Sequence, residues 1–396
     1  MAAEIKVRGR RDLERMVPLF LAMVAGVALA FNLLVCWKVY RNAPLREAAS
    51  RSLMAEGSRF FYDSGFAEPL PVFTLKAAMA LGADPDAAVR AEGLVLFAAI
   101  TVVSFLFIRR RFGALAGAMA AMLLAGNPYL GYSAMRGGSH LHALFFILLF
   151  WYWFDSEKHT TGSIVAAGLA GGAACLSRLD SAWFVLISAV LFLAIKRRDF
   201  DLKAAGLSLG LAFLLLFPYL AYQKAKYGNS LYAQELSLRR WANLDRYGYN
   251  SAEPMPTGPL SVAGFLFRDG PVSAVKRTFG GLGRSFSFEI PKVVYYKLTM
   301  VLVFLGFYAA FALKKDSLLV FFAAAFLPVL ALAPVQQIPV AGGIELRYYL
   351  STLWGLVALA ALGFQEGLEW AAKHFKAWLE GKVLEHAAKD KRDNKN

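Results

Sequence analysis

The stretch MVPLFLAMVAGVALAFNLLVCWKV at residues 16–39 decides the class of fold. Its first charged residue is Lys38, so the run before it is long and apolar enough to cross the hydrocarbon core as one helix. Arg8, Arg10 and Arg11 precede it, as in a secretory signal peptide. The run is too long for a signal-peptide core, however, and no clear small-residue cleavage site follows. The sequence therefore predicts a retained first membrane span.

The composition of the whole chain also indicates a membrane environment. Of its 396 residues, 58% are hydrophobic and 18% charged, against roughly 45–50% apolar in soluble domains. The net charge is +15, and the basic residues form short clusters between apolar runs. That pattern suits membrane lipids with anionic headgroups, or phosphate-bearing substrates, and argues against nucleic acid as a partner. Cys36 and Cys175 lie inside apolar runs, so neither a disulfide framework nor a zinc site is indicated.

Further apolar runs predict an all-α polytopic membrane bundle of about ten spans. Two of the connections between these spans are long loops, at about 39–87 and 223–293. The predicted spans are 16–38, 88–108, 113–132, 139–154, 163–177, 181–196, 203–222, 294–313, 317–335 and 349–371.

The short basic connections predict the orientation of the bundle. The clusters at 109–111, 196–198 and 314–315 fall on the side of the N-terminal arginines, and such clusters favour the cytoplasmic side. We therefore expect a multi-pass protein of the cell (inner or plasma) membrane, with both ends inside and both long loops outside. Residues 1–371 form the predicted membrane domain, and residues 372–396 form a basic, amphipathic cytoplasmic tail.

The outer loops are expected to contain helices that lie along the membrane surface and roof a cavity. Residues 44–57 alternate apolar and charged side chains, and residues 72–81 form a second short apolar helix. Both loops are rich in basic residues, and two explanations stay open: contact with lipid headgroups, or a surface that meets a phosphorylated substrate.

Glycine pairs four residues apart predict close helix packing on three spans. The pairs are Gly113 and Gly117, Gly168 and Gly172, and Gly206 and Gly210.

Charged residues and short motifs gather at the outer ends of the spans, where burial of charge beside lipid is costly and favours function. In chain order the motifs are Gly-Phe-Ala-Glu-Pro at 65–69, Leu-Gly-Ala-Asp-Pro-Asp-Ala-Ala-Val-Arg at 81–90, Arg-Arg-Phe-Gly at 110–113, Asn-Pro at 127–128, Ser-Arg-Leu-Asp at 177–180, Pro-Tyr at 218–219, Tyr-Gly at 227–228 and Glu-Leu-Arg-Tyr at 345–348. Their order resembles the GT-C superfamily of glycosyltransferases over nearly the whole chain. The most similar branch is the protein O-mannosyltransferase-like group, which includes the lipid A aminoarabinose transferases.

The resemblance implies inverting transfer of a sugar from a polyprenyl-phosphate carrier to an extracytoplasmic acceptor, which the sequence does not identify. An outer-loop carboxylate would accept the proton of the acceptor hydroxyl. Cationic side chains, or a divalent cation such as Mg or Mn, would neutralise the lipid phosphate that leaves.

The carboxylate that acts as base is where the chain departs from this family. In relatives an Asp precedes the glycine that Gly57 matches, and counting back without a gap reaches Asn42 or Ala43, neither of which is a base. Glu47 lies about one turn later, and Glu68 matches the second acid of the family. The sequence therefore predicts Glu47 or Glu68 as the catalytic base. The alternative for Glu47 is a solvated helix face, and for Glu68 a helix cap or a salt bridge.

Five residues are predicted to bind substrate phosphate: Arg347, Tyr348, Arg178, Arg59 and Arg136. Arg347 leads because a guanidinium binds phosphate oxygens bidentately; its alternative is snorkelling at a span end. Arg178 could instead pair with Asp180 and fix the turn between two spans.

A metal ion, if bound, is expected at His140 and Glu68. His142 lies two residues beyond His140 and so points to a different face of the helix, which argues against a joint histidine site.

Two other classes of function stay open. One is an inactive GT-C-like subunit that binds lipid-linked sugars or serves assembly, because the first acid is unmatched. The other is a transporter of lipid-linked saccharides, which the position of the charges at span ends, away from mid-span, disfavours.

Overall fold

The computed structural model describes residues 2–43, 45–65, 68–156, 159–195, 201–247, 261–312, 316–335 and 346–393. Within these residues all regular secondary structure is helical, which confirms the predicted all-α membrane bundle.

Among the described residues, ten helices lie between the N-terminus and the start of the second long loop. They are α1 (Ala2–Tyr40), α2 (Arg46–Gly57), α3 (Pro69–Ala80), α4 (Pro85–Phe112), α5 (Ala114–Ala125), α6 (Pro128–Met135), α7 (His140–Phe154), α8 (Thr161–Ser177), α9 (Ser181–Ile195) and α10 (Leu202–Tyr227).

The second half begins with the helices of the second outer loop. They are α11 (Tyr232–Tyr247), α12 (Val262–Leu266), α13 (Pro271–Arg284), a π-helical turn (Ser285–Glu289) and α14 (Ile290–Val294). The remaining elements are α15 (Lys297–Ala312), α16 (Asp316–Leu332), two 3-10 turns (Ala333–Val335 and Leu346–Tyr349) and α17 (Leu350–Asp393).

Length and composition identify four helices in the described residues that could cross a membrane singly: Met16–Tyr40, Pro85–Phe112, Leu202–Tyr227 and Leu346–Phe375. Two bent helix pairs raise this number to six. The shorter apolar helices include α7 and α8. The total of ten spans and the orientation of the bundle stay predictions.

Several predicted helices have the expected positions. The amphipathic stretch 44–57 forms α2, and the short apolar stretch 72–81 forms α3. Helix α3 begins at Pro69, earlier than predicted, because proline is well suited to the first helical position, where no N–H donor is needed. Helix α17 continues through residue 372 without a break, so the last span and the tail form one helix as far as Asp393.

The predicted span 113–132 is broken. Helices α5 and α6 meet at an angle of 56°, because Pro128 cannot donate a backbone hydrogen bond and Asn127 starts a new helix by accepting from the Leu130 N–H at 2.9 Å. Asn32 of α1 compensates for the break, since its Nδ2 donates to the Ala125 carbonyl at 2.9 Å.

A second break lies directly beside the first. The segment Pro271–Val294 meets α15 at 111°, and Tyr295 has a φ of 66°. Asn127 Nδ2 donates to the Val293 carbonyl at 3.1 Å, and the Tyr296 hydroxyl donates to the Gly126 carbonyl at 3.1 Å. Each break therefore supplies hydrogen bonds to the other.

Helix α13 has the pattern of an interfacial helix. Val272, Val275 and Phe279 form an exposed stripe, while Gly281 on the opposite side packs against the carbonyl of Ala333. An exposed apolar stripe of this kind is typical of a helix that lies along a membrane surface.

Glycines set the closest helix contacts. Gly306 of α15 and Gly363 of α17 face each other's backbones, and a Cβ at either position would clash with a carbonyl or amide of the partner helix. Gly168 and Gly172 of α8 pack against α10, and Gly117 packs against α4, as predicted. The prediction for Gly206 and Gly210 is wrong, because no atom lies within 4 Å of a Cβ built there.

We expect Gly306→Ala to destabilise the bundle by about 1–3 kcal/mol, because the added methyl has no space between α15 and α17. Gly206→Ala is the matched control and should leave the unfolding temperature unchanged or raised, since alanine favours a helix. Thermal unfolding in detergent measures both. Equal midpoints for the two variants would contradict the packing argument.

The orientation can be tested with single cysteines, because the native Cys36 and Cys175 are buried. Ser287 and Lys373 are exposed. We expect Ser287→Cys to react with a membrane-impermeant maleimide on intact cells, and Lys373→Cys to react only after permeabilisation. The reverse pattern would invert the topology.

Candidate active site

A cavity of about 520 Å³ opens where the ends of several helices meet. Side chains at these helix ends form its polar end: Glu68, His140, Arg178, Asp180, Arg347 and Tyr348. Apolar side chains farther along α9 and α16 also line it: Trp183, Phe184, Ile187, Leu327, Pro328 and Ala331. Helix α11 of the second outer loop closes one side with Gln234 and Leu238.

Glu68 reaches the cavity from the first outer loop. Its backbone occupies the position before α3, but its side chain does not cap that helix. Instead, Glu68 Oε1 accepts a hydrogen bond from the Leu179 N–H at 3.1 Å, in the turn between α8 and α9. Burial raises the pKa of the Glu68 carboxyl, although the Arg178 guanidinium opposes the shift. The carboxyl is therefore a weaker acid than an exposed glutamate.

Arg178 is held in place by its neighbour in the same turn. Its Nε donates to Asp180 Oδ1 at 3.0 Å and its Nη2 donates to Asp180 Oδ2 at 2.7 Å. Its Nη1 also donates to Ser139 Oγ at 3.3 Å. The pairing of Arg178 with Asp180 that the sequence offered as an alternative is thus present, and the paired guanidinium still forms part of the cavity wall.

Tyr348 is the centre of the polar end. The His140 ring meets it edge-on, with the centroids 4.9 Å apart. The Arg347 and Arg178 guanidinium carbons lie 5.3 Å and 5.8 Å from its ring centroid. Two cations and an imidazole therefore surround one aromatic ring.

His140 and His142 face different surroundings, as their spacing predicted. His140 is 9% exposed and lines the cavity, and among the described residues neither of its ring nitrogens has a hydrogen-bond partner. His142 points away from the cavity, and its Nε2 donates to Glu92 Oε1 at 2.8 Å.

Three predicted site residues are not placed in this cavity. Arg59 lies in an exposed turn, where its backbone N–H donates to Asp63 at 3.4 Å. Arg136 ends α6, and its guanidinium lies 5.6 Å from the centroid of the Tyr132 ring. The side chain of Glu47 lies outside the described residues, although its backbone belongs to α2.

Comparison with known proteins gives a match to a family model and matches to solved structures. Residues 67–222 match the family model described as dolichyl-phosphate-mannose-protein mannosyltransferase. The structure superposes on ArnT from Cupriavidus metallidurans bound to undecaprenyl phosphate with a TM-score of 0.53 and 14% identity, over 86% of this chain and 60% of that one. It superposes on the Archaeoglobus fulgidus oligosaccharyltransferase in complex with Zn and sulfate with a TM-score of 0.50 and 15% identity, over 91% and 50%. No curated protein sequence matches the chain at a significant level.

The resemblance to the GT-C superfamily is confirmed. The segment that matches the family model contains Glu68, His140 and Arg178 of the cavity, whereas Arg347 and Tyr348 lie beyond it. The chain spans 60% of the length of ArnT and half of the length of the oligosaccharyltransferase.

The predicted divalent cation can be tested against the donor atoms that the cavity offers. Glu68 and His140 both line the cavity, but the described part of the chain brings no group of three His, Cys, Asp or Glu side chains together for an ion. Asp180 is already paired with Arg178. These residues do not form a metal centre by themselves, so no step below depends on a metal.

Sequence reasoning missed the side of the cavity that comes from the second loop. Gln234 and Leu238 lie on α11, whose contacts depend on how the loop folds back over the bundle. A link between the first loop and α10 was also missed. The Lys226 ammonium and the Tyr222 hydroxyl donate to Asp63 and lower its pKa to about 2.

We expect Glu68→Gln to stabilise the protein at neutral and higher pH. The native state favours the protonated carboxyl, so its stabilising contribution is present below the ordinary glutamate pKa, about 4.3, and is lost as the pH rises through the raised value. Unfolding temperatures of the two proteins should therefore converge near pH 4 and diverge by pH 8, with the variant higher. A constant difference across this range would contradict the raised pKa.

Proposed function

We propose that the protein is a membrane glycosyltransferase that moves a sugar from a polyprenyl-phosphate donor to an acceptor outside the cytoplasm. The observation that carries this proposal is the lining of the cavity: apolar side chains of α9 and α16, together with two guanidinium groups and two carboxyls at the helix ends. A lipid phosphate likewise combines an apolar chain with a charged head. The bound lipid of the ArnT structure belongs to that protein, and it supports the proposal by analogy of fold.

Arg347 is the proposed phosphate ligand. Arg178 already binds Asp180 bidentately, so its charge is largely balanced within its own turn. Arg347 also lies beside Tyr348 and lines the same cavity. A guanidinium there would neutralise the charge that develops on the phosphate as it leaves.

Glu68 is the proposed general base. The acceptor hydroxyl attacks the anomeric carbon, the bond from that carbon to the phosphate oxygen breaks, and the hydroxyl proton moves to the Glu68 carboxylate. Attack from the face opposite the phosphate inverts the anomeric configuration. The raised pKa of this carboxyl makes it a better proton acceptor than an exposed glutamate.

A second function is a GT-C-like subunit that binds lipid-linked sugars without transferring them. Two observations favour it: positions 42 and 43 carry Asn and Ala where relatives carry an acid, and the Glu68 carboxyl already accepts the Leu179 N–H. In that case the cavity would retain the lipid phosphate, and Glu68 would only fix the turn.

The test is transfer from radiolabelled undecaprenyl- and dolichyl-phosphate sugars in membranes that contain the protein. We expect Glu68→Gln to reduce transfer by about a hundredfold or more, the usual contribution of a general base. Arg347→Ala should also reduce it, by weakening the phosphate contact. Glu56→Gln is the control, because Glu56 is an exposed acid of the first loop outside the cavity.

The other outcomes are equally informative. Loss of transfer in Glu47→Gln with an active Glu68→Gln would make Glu47 the base. If no donor is consumed, but undecaprenyl phosphate binds and Arg347→Ala weakens that binding, the binding subunit becomes the better account.

A further inference from the structure

A largely buried ionic network outside the cavity lining joins the first loop to the bundle. Arg51 of α2 is 5% exposed and uses three donor groups. Its Nε donates to the Pro71 carbonyl of α3 at 2.8 Å, and its Nη1 donates to the Gly137 carbonyl, before α7, at 2.9 Å. Its Nη2 is paired with Glu92 of α4. One side chain thus contacts α3, α4 and the turn that enters α7.

Glu92 extends the network to α7 itself. One carboxylate oxygen is paired with Arg51, and the other accepts from His142 Nε2 at 2.8 Å. These two partners, on different helices, offset the free-energy cost of removing this charge from water. None of the three side chains lies in the wall of the cavity.

The attachment points of the network lie close in sequence to the polar end of the cavity. Pro71 is in the first turn of α3, three residues after Glu68. His142 follows His140 in the first turn of α7. Gly137 precedes Ser139, whose hydroxyl accepts from Arg178. Each attachment therefore fixes a backbone segment that carries one of the cavity's polar side chains.

We propose that Arg51, Glu92 and His142 are positioning residues, which hold the starts of α3 and α7 so that Glu68 meets the Leu179 N–H and His140 meets Tyr348. Their importance for transfer rests on the proposed function. Their effect on the hydrogen bond between Glu68 and Leu179 does not, and it can be measured without any substrate.

The chain contains a matched control. Asp155 at the C-terminal end of α7 is a buried acid paired with Arg111 of α4. This pair joins the same two helices as Glu92 and His142 do, but at the opposite end of α7, and neither residue lines the cavity. A variant of Asp155 therefore removes a buried ion pair from the same helix pair without touching the attachments near Glu68.

Hydrogen exchange followed by mass spectrometry on the full-length protein in detergent tests the proposal. The readout is a peptide that covers residues 177–182 and includes the Leu179 N–H. We expect Glu92→Ala to accelerate exchange at this amide about tenfold, the effect of losing one hydrogen bond. Glu92→Gln keeps the shape and part of the hydrogen bonding, so it should give a smaller acceleration and serves if Glu92→Ala does not fold. Asp155→Ala should leave this peptide unchanged and accelerate exchange only near 111 and 155.

Transfer assays add the second readout where a donor is found. We expect Glu92→Gln to lower kcat with little change in KM for the donor, and Asp155→Ala to change neither at a temperature where both variants are folded. Protection of the 177–182 peptide in both Glu92 variants would overturn the proposal, whatever the transfer assay shows. Equal deprotection in the Asp155 variant would also overturn it, because the effect would then be general loosening of the bundle. If the peptide responds as expected and no transfer is found, the positioning role stands and the proposed function fails.

Discussion

The structure depends on one constraint: in hydrocarbon, every backbone N–H and C=O must find a partner within the protein. Unbroken helices satisfy it automatically, but the described residues include two sharply bent helix pairs, with breaks at Asn127 and at Tyr295. The breaks are adjacent, and the Asn127 amide and the Tyr296 hydroxyl each satisfy carbonyls exposed by the other break. Asn32 of α1 satisfies a further one. The polar side chains found among these apolar runs are therefore requirements of the fold.

The same constraint explains how the outer face becomes a site. Breaking the helices turns α13 away from α15 and lets the second loop cover the bundle, with α11 reaching the cavity. Charged groups enclosed there must be balanced locally. Arg178 is balanced by Asp180, whereas the attraction of Arg178 and one backbone N–H do not offset the effect of burial on Glu68. The charges that line the cavity are therefore unevenly balanced, and the Glu68 carboxyl is the group that most easily takes up a proton.

The sequence predicted much of this site because topology restricts where charge can lie. Arg178, Arg347 and His140 each stand at the outer end of an apolar run, and runs that cross one bilayer bring such ends to one level. The position along the bilayer normal can be predicted in this way, but the position within the plane of the membrane cannot. For that reason Arg136 was also predicted as a site residue, and the structure places it beside Tyr132. Lateral position depends on which helices pack together, and this is set by non-local contacts such as Gly306 on α17. Spacing alone likewise could not separate Gly168, which packs, from Gly206, which does not.

The unmatched first acid gains a physical explanation from the same geometry. An acid near position 42 would stand beside the turn after α1, where Arg90 of α4 donates to the carbonyls of Tyr40 and Ala43. In this chain Arg90 is therefore committed to backbone groups that end α1, and it fixes the start of the first loop without a carboxylate. Glu68, an acid of the first loop, lies in the cavity wall just before α3, to which Arg51 donates a hydrogen bond. Because Asp180, the second carboxyl of that wall, is paired with Arg178, Glu68 is the carboxyl that would accept a proton beside a lipid phosphate, so the absence of an acid at positions 42 and 43 does not by itself remove the chemistry.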